Sequence, residues 1–300
     1  MNDPMYLVGE RLTRMLGWIE RVADIAPESE IPHLFRSLPL DVFGQLLINR
    51  PFSRFPKIDR LLPVMPPDDI QQRWTGGSGQ ALMSQSCAFV KSMQRMWLLH
   101  RATPWGTQQV LDYGCGWGRL LRLMYKFFPA SQLHGVDAWH GSLSLCSDLG
   151  LPGSFSLCEE VPSGPPVLGK KFDLIYSFSV LTHLLEDCHL AVLGSLRQAI
   201  SNDGMLFVSI RPETFWDAAR DRSTARDLKR CHMESGFASH CNSPHSASPN
   251  QTFGDASIAL RYAESRWRVV DVDVNLCDRW QTVLALTPCL GCVFLILYCA

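Results

Sequence analysis

The feature that most constrains this chain is a glycine-dense segment, residues 110–119, which joins an apolar run to a helical pattern. Its first four residues indicate a buried strand, alternating glycines follow, and from Leu120 apolar side chains recur at helical spacing. A strand, a turn of bare backbone and a helix N-terminus together form a pocket in which a ligand contacts main-chain atoms. The segment therefore predicts a strand–turn–helix unit with a ligand at its turn.

The spacing of the glycines narrows the choice of ligand. Gly114, Gly116 and Gly118 alternate behind Asp112, and Arg119 stands where a nicotinamide-binding turn has its third glycine. A carboxylate at Asp112 also repels a pyrophosphate, because both groups are anions. The pattern disfavours a dinucleotide and favours a ligand with a cationic end.

A second acid follows at the end of the next predicted strand. Asp137 lies roughly two dozen residues after the glycine turn, where an acid accepts hydrogen bonds from the ribose hydroxyls of an adenosine-containing ligand. The alternative interpretation is a helix cap or a solvated turn residue. Its combination with the acid-led glycine turn favours ribose binding.

The acid-led glycine turn, Asp137 and the segment 172–184 together resemble the motifs of class I S-adenosylmethionine-dependent methyltransferases. The resemblance covers residues 105–287, and the motifs are most similar to those of bacterial small-molecule and glycan methyltransferases. It implies an α/β fold with a doubly wound, seven-stranded, mostly parallel Rossmann-like sheet. It also implies S-adenosylmethionine as the cofactor.

The resemblance further implies which residues contact the cofactor. For the adenine amino group, Glu159 and Cys158 are both candidates, and a solvated carboxylate pair formed with Glu160 is the other interpretation. The residues predicted to bind the cofactor are Asp112, Gly114, Cys115, Gly116, Gly118, Asp137, Glu159 and Ser177.

A further group of residues is predicted to surround the methyl acceptor. Ser177 and Phe178 are expected at the rim of the pocket, and Trp74, which precedes a glycine-rich stretch, is expected to cover it. His183 is the candidate general base, since its ordinary pKa lies near neutrality. A packing or capping role is the alternative for both Trp74 and His183.

These observations predict a methyltransferase that transfers a methyl group to a small-molecule or glycan acceptor by in-line displacement. The alternatives are a protein or RNA methyltransferase and a non-catalytic regulator that binds S-adenosylmethionine. A net charge of −1, from 28 basic and 29 acidic residues, disfavours nucleic acid as the partner. Histidine and cysteine residues between positions 231 and 245 match no familiar zinc-ligand spacing, so no metal site is predicted.

The pattern along the chain predicts its organisation. Residues 1–103 are expected to form a helical N-terminal cap, and residues 104–287 the methyltransferase domain with an insertion, a lid or flexible loop, at 211–257. The apolar tail, residues 288–300, is shorter than the roughly 20 residues that span a bilayer. No leader sequence is visible, and eleven scattered cysteines suit reduced thiols, so a cytoplasmic location is expected.

Local patterns predict the individual elements. Residues 51–67, rich in proline, are expected to be extended or loop-like, and Asn202-Asp203-Gly204 is expected to form a turn. The predicted strands are 110–113, 133–136, 155–158, 174–180, 205–210, 268–275 and 282–286, and the predicted helices include 78–100, 120–128, 142–149, 188–200 and 258–267.

Overall fold

Seven strands form one mixed sheet in the computed structural model, which describes residues 9–50, 54–218, 222–240, 256–259, 266–274 and 279–289. The strands are β1 (Val110–Tyr113), β2 (Leu133–Asp137), β3 (Ser154–Leu157), β4 (Phe172–Ser177), β5 (Ile200–Ile210), β8 (Trp267–Asp273) and β9 (Thr282–Pro288). Their order is β3-β2-β1-β4-β5-β9-β8, and β1 to β5 pair in parallel. The last two strands form an antiparallel hairpin against β5. The predicted fold class is confirmed, and the strands predicted at 268–275 and 282–286 correspond to β8 and β9.

Helices cover both faces of this sheet. They are α1 (Glu10–Val22), α2 (Ile31–Phe35), α3 (Leu40–Asn49), α4 (Pro56–Leu61), α5 (Asp68–Thr75), α6 (Gly79–His100), α7 (Arg119–Met124), α8 (His140–Asp148), α9 (Glu186–Ala199) and α10 (Arg222–Ser235). Successive strand residues point to opposite faces, so Val110 packs with the N-terminal helices while Leu111 packs with α9. The central strands are therefore apolar on both sides, as parallel strands between two helix layers are.

The N-terminal helices share one apolar core with the sheet. Phe35, Phe43 and Phe89 pack in the same cluster as Tyr176 of β4 and Phe207 of β5. This cluster makes α1 to α6 one layer of the fold.

The expectation of an extended or loop-like segment at 51–67 is wrong for part of its length. Residues 56–61 form α4, and Pro56 lies in its first turn, where a missing N–H costs nothing. The carboxylate of Glu20 accepts hydrogen bonds from the amides of Lys57 and Ile58, both at 2.9 Å from the nearer oxygen. Glu20 belongs to α1, so the local sequence around residue 56 gave no indication of this cap. Residues 51–53 lie outside the described part of the chain.

Two other local predictions are also wrong. The expected turn at 202–204 lies inside β5, where the register against β4 shifts and extra residues form a bulge, and the Ser201 hydroxyl donates to Asp173 Oδ1 at 2.9 Å. The helix expected at 258–267 is contradicted at both ends. Residues 256–259 form β7 (Ala256–Ala259), which pairs with β6 (Phe237–His240), and Trp267 begins β8. Pairing with a partner strand overrides the local pattern in both places.

The described part of the predicted insertion contains regular structure. It comprises the 3₁₀ helix Glu213–Ala218, α10 and the β6–β7 pair. The Phe237 ring packs edge-on against His189 of α9 at 6.4 Å, and β7 lies against the 3₁₀ helix Leu181–His183. The insertion therefore lies over the carboxyl end of β4. No helix among the described residues is long and apolar enough to cross a membrane, and residues 290–300 of the apolar tail lie outside them.

Candidate active site

A tight loop joins β1 to α7 and is attached to the neighbouring strand. Gly114, Gly116 and Gly118 adopt φ angles of 74°, 54° and 73°, in the left-handed region that favours glycine. The amides of Gly114 and Cys115 both donate to the carbonyl of Val136, at 2.8 and 3.0 Å. The loop is thereby held on the end of β2.

The three glycines are required for different reasons. A Cβ on Gly114 would lie 2.4 Å from a methyl of Val180, and one on Gly118 would lie 2.1 Å from a methyl of Leu151. A Cβ on Gly116 would meet no atom within 4 Å. Gly114 and Gly118 thus permit close packing, whereas Gly116 presents bare backbone to open space.

Asp137 lies beside this loop, as the sequence predicted. Its two carboxylate oxygens accept hydrogen bonds from the amides of Gly116, at 2.8 Å, and Trp139, at 2.9 Å. Each oxygen keeps a further lone pair for another donor. Asp137 therefore fastens the loop and still has capacity for two hydroxyl groups.

Asp112 is almost completely buried, with an exposed fraction of 3%, and its carboxylate lines the cavity in front of the loop. Burial raises the pKa of this carboxyl well above its usual range, while Tyr176 and Arg119 lower it and Asp137 raises it. A carboxylate in such surroundings gains stability when a cation binds beside it. The residue is thus suited to the cationic end of a ligand.

Two cavities meet at the loop. The larger, of about 540 Å³, is the groove lined by Asp112, Gly116, Trp74, Phe178, Arg211 and Gln281 among others. The smaller, of about 380 Å³, is lined by Asp137, Cys158, Glu159 and Glu160 among others. Gly114, Ser179, Val180 and His183 line both.

Both candidates for the adenine contact lie at the smaller cavity. Glu159 is exposed, and its carboxylate accepts hydrogen bonds from the amide and the hydroxyl of Ser163, both at 2.8 Å. These bonds lower its pKa. Cys158 is half-buried in the same wall, so the structure leaves both candidates in position.

Ser177 is the predicted site residue that the structure separates from the others. It is fully buried, its hydroxyl donates to the carbonyl of Tyr113 at 2.9 Å, and it lines neither cavity. Its neighbour Phe178 does line the groove, with the Arg119 guanidinium 4.9 Å above its ring. The expected rim position therefore belongs to Phe178 alone, because Ser177 still belongs to the sheet.

Trp74 and His183 both line the groove. Trp74 is half-buried near the end of α5, and its ring lies 4.7 Å from the exposed ring of Trp139. His183 is half-buried at the end of the 3₁₀ helix Leu181–His183. His183 lies where the two cavities meet. A group that passes from a ligand in one cavity to a ligand in the other would pass beside it.

The sequence analysis did not identify several residues that line the groove, among them Ser179, Arg211 and Gln281. Ser179 follows β4 with a φ of 62°, an uncommon value for a residue with a side chain, and its amide donates to the Ser209 hydroxyl at 2.7 Å. Gln281 donates to the Ser179 hydroxyl at 3.2 Å, and Arg211 follows β5 directly. The rule that ligands bind at the carboxyl ends of parallel strands would have identified Ser179 and Arg211. Gln281, which precedes the antiparallel strand β9, carried no such signal.

Within the described part of the chain, no three histidine, cysteine, aspartate or glutamate side chains converge as metal ligands. Of the histidine and cysteine residues between positions 231 and 245, Cys241 and His245 lie outside that part.

Comparison with known proteins identifies the family. A family model described as a methyltransferase domain matches residues 57–256, which is more than half of the chain. The comparison with curated proteins found no match. Among solved structures, the methyltransferase CcbJ from Streptomyces caelestis is 12% identical, covers 74% of this chain and 96% of its own, and has a TM-score of 0.48.

Two further structures are similar at the same level. The magnesium protoporphyrin IX methyltransferase ChlM from Synechocystis PCC 6803 is 15% identical, with coverage of 82% and 98% and a TM-score of 0.45. An S-adenosylmethionine-dependent methyltransferase from Clostridium acetobutylicum is 10% identical, with coverage of 67% and 91% and a TM-score of 0.46. With TM-scores below 0.5, these similarities carry no information about the acceptor.

Proposed function

This chain belongs to the methyltransferase-domain family, and on that premise we propose that it methylates a small-molecule or glycan-type acceptor. The predicted class I methyltransferase is confirmed, and with it S-adenosylmethionine as the cofactor. The acceptor class is our proposal. The observation that carries it is the meeting of two cavities at one acid-led glycine loop.

The loop and its two acids fit this cofactor. When bound, S-adenosylmethionine supplies a methyl group activated by a sulfonium. Asp112 would hold the ammonium group, because a buried carboxylate without a cation is the costly state. Gly116 would lie against the cofactor, since a Cβ there meets open space. Asp137 would accept the ribose hydroxyls, and the smaller cavity would hold the adenine.

The groove beyond the loop would receive the acceptor. Its volume of about 540 Å³ falls in the range of roughly 300–1,000 Å³ that small-molecule sites occupy. Trp74 lies in α5, whereas Phe178, Arg211 and Gln281 lie beside β4, β5 and β9, so the walls come from four separate parts of the chain. Such walls align a compact acceptor for in-line attack and exclude water, which is the main contribution a protein makes to this reaction.

His183 is our candidate for the general base. Its position at the junction of the cavities places it beside the point of transfer, and an imidazole accepts a proton near neutral pH. A hydroxyl acceptor needs such a base to remove its proton. A carboxylate or thiolate acceptor needs none. The loss of activity when His183 is replaced would therefore indicate which kind of atom accepts the methyl group.

The proposal is tested by following the methyl group. The protein is incubated with methyl-labelled S-adenosylmethionine and separated metabolite, glycan, protein and RNA fractions, with heat-denatured protein as the control. We expect label in the metabolite or glycan fraction. Label in protein or RNA would overturn the acceptor class. Calorimetric binding of the cofactor without label in any fraction would favour a regulator.

A further inference from the structure

A strongly basic cavity lies at the opposite edge of the sheet from the glycine loop. It has a volume of about 530 Å³ and is lined by Lys170, Lys171, Arg197 and Arg266 together with uncharged residues. The two lysines precede β4, Arg197 is in the last turn of α9, and Arg266 precedes β8. This basic cavity is therefore separate from the loops that follow the carboxyl ends of β1, β2 and β4.

No described residue balances the charge of the basic cavity. Among the described residues, no carboxylate lines it and none of its four cations forms an ion pair. Like charges that line one cavity repel each other, and an anion bound among them would relieve that repulsion. The chain as a whole has a net charge of −1, so the concentration of positive charge is local.

Three of the four cations are held in place by neutral partners. Lys170 Nζ lies 2.9 Å from His134 Nε2, Lys171 donates to the carbonyl of Gln198 at 2.5 Å, and Arg197 donates to that of Cys289 at 3.3 Å. Each contact uses one hydrogen and leaves other donors for a ligand. The Nε of Arg197 is buried and has no partner within the described part of the chain.

A structural role accounts for only some of these residues. Lys171 and Arg197 lie at the carboxyl end of α9, where cations stabilise the helix dipole. Lys170 and Arg266 have no such role. Arg266 also has a φ of 63°, and a residue with a side chain is held in that conformation at some cost.

We propose that the basic cavity binds a small polyanion, a ligand with a di- or triphosphate group. Four cations around one volume match the several charges of such a group, and the lysine and arginine donors match its oxygens. A nucleic acid requires a basic surface that follows its backbone, whereas the four cations here line one open cavity of limited extent, three of them with exposed side chains. The limited extent of the cavity therefore favours a small ligand.

The test uses inorganic tripolyphosphate as the probe. Binding to the full chain is measured by calorimetry in about 150 mM KCl, with S-adenosylhomocysteine present to fill the cofactor site. We expect one saturable site, and an increase in Kd of about tenfold or more in the Lys170→Gln/Arg266→Gln variant. The control, Arg60→Gln/Lys91→Gln, also removes two exposed positive charges, but from α4 and α6, where neither residue lines the basic cavity. It should bind as the unmodified chain does.

Other outcomes decide against the proposal. It is overturned by the absence of saturable binding, or by an equal Kd in the double variant and its control. If the double variant does not melt cooperatively, Arg197→Gln alone must raise the Kd. Affinity for single-stranded oligonucleotides that rises with their length would assign the surface to nucleic acid instead.

Discussion

At the scale of single residues, the glycine loop separates a folding requirement from a binding requirement. Gly116→Val should lower the affinity for S-adenosylmethionine about a hundredfold or more, because a branched side chain would occupy the space in front of the loop. Calorimetry gives the affinity and thermal unfolding gives the stability. Gly150→Val is the matched control, since Gly150 has a φ of 61° and open space but lies outside both cavities. Equal affinity in the two variants would refute the placement of the cofactor.

Asp112 predicts a pH dependence of cofactor binding. Because burial raises the pKa of its carboxyl in the empty site, the group takes up a proton more readily there than an exposed acid does. The cofactor's ammonium favours the ionised form, so affinity should increase as the pH rises through that raised pKa. Calorimetry with S-adenosylhomocysteine from about pH 5 to 8 measures the slope. Asp112→Asn should bind more weakly and show no slope from this group, and an unchanged slope would contradict the assignment.

The same raised pKa has a consequence for stability. The folded state binds more protons than the unfolded state, so this residue's contribution to the free energy of unfolding falls as the pH rises through the window between the two pKa values. Asp112→Asn should therefore stabilise the empty protein at neutral pH while it weakens cofactor binding. Opposite signs of the two effects are typical of a residue kept for function.

His183→Ala should reduce kcat by about 10²–10³-fold for a hydroxyl acceptor, since the general base is lost. The Kd for S-adenosylmethionine should change little, because the walls of the cofactor cavity are otherwise intact. Single-turnover kinetics separate the two quantities. His189→Ala is the control, because His189 is buried in α9 and lines neither cavity. An equal kcat in the His183 variant and the unmodified chain would exclude the role of base.

At the scale of elements, the sequence predicted those whose signals are local. The strand–turn–helix around Gly116 and the closing hairpin follow from glycine spacing and alternation. The strand over 200–204 and α4 did not, because their partners, Asp173 and Glu20, are distant in sequence. Local patterns contain no information about such partners.

Arg122 of α7 connects the glycine loop to the segment that precedes α5, and its removal should destabilise the fold. Its guanidinium is fully buried, donates to the carbonyls of Val64 and Trp117, and lies 5.2 Å above the Trp117 ring. Arg122→Met should lower the free energy of unfolding by about 3 kcal/mol, because two carbonyls lose a charged donor. Urea unfolding measures the change. Arg73→Met, at an exposed ion pair, should cost less than about 1 kcal/mol, and equal losses would contradict the argument.

At the scale of the whole molecule, the groove is assembled from both halves of the chain. Trp74 and Gln85 come from the N-terminal helices, Asp112 comes from β1, Phe178 directly follows β4, and Gln281 directly precedes β9. Motifs predicted the side of the groove where we place the cofactor, since it is built from one contiguous loop and the end of the next strand. The side where we place the acceptor was not predictable in the same way. Its walls come from distant parts of the sequence, which lie together only in the complete fold.

Because the N-terminal helices and the sheet share one core, the domain boundary expected at residue 103 should not separate two parts that fold independently. A chain shortened to residues 104–300 loses the helices that cover one face of the sheet, so Val110, Tyr176 and Phe207 lose their packing partners. Exposed apolar surface of this extent prevents folding, and we expect aggregation or a melt without cooperativity. A chain that starts at residue 54 keeps α4 to α6 and should retain more structure. Calorimetry and circular dichroism compare both with the full chain. A cooperative melt of the shorter chain near that of the full chain would show that residues 1–103 are a separable cap.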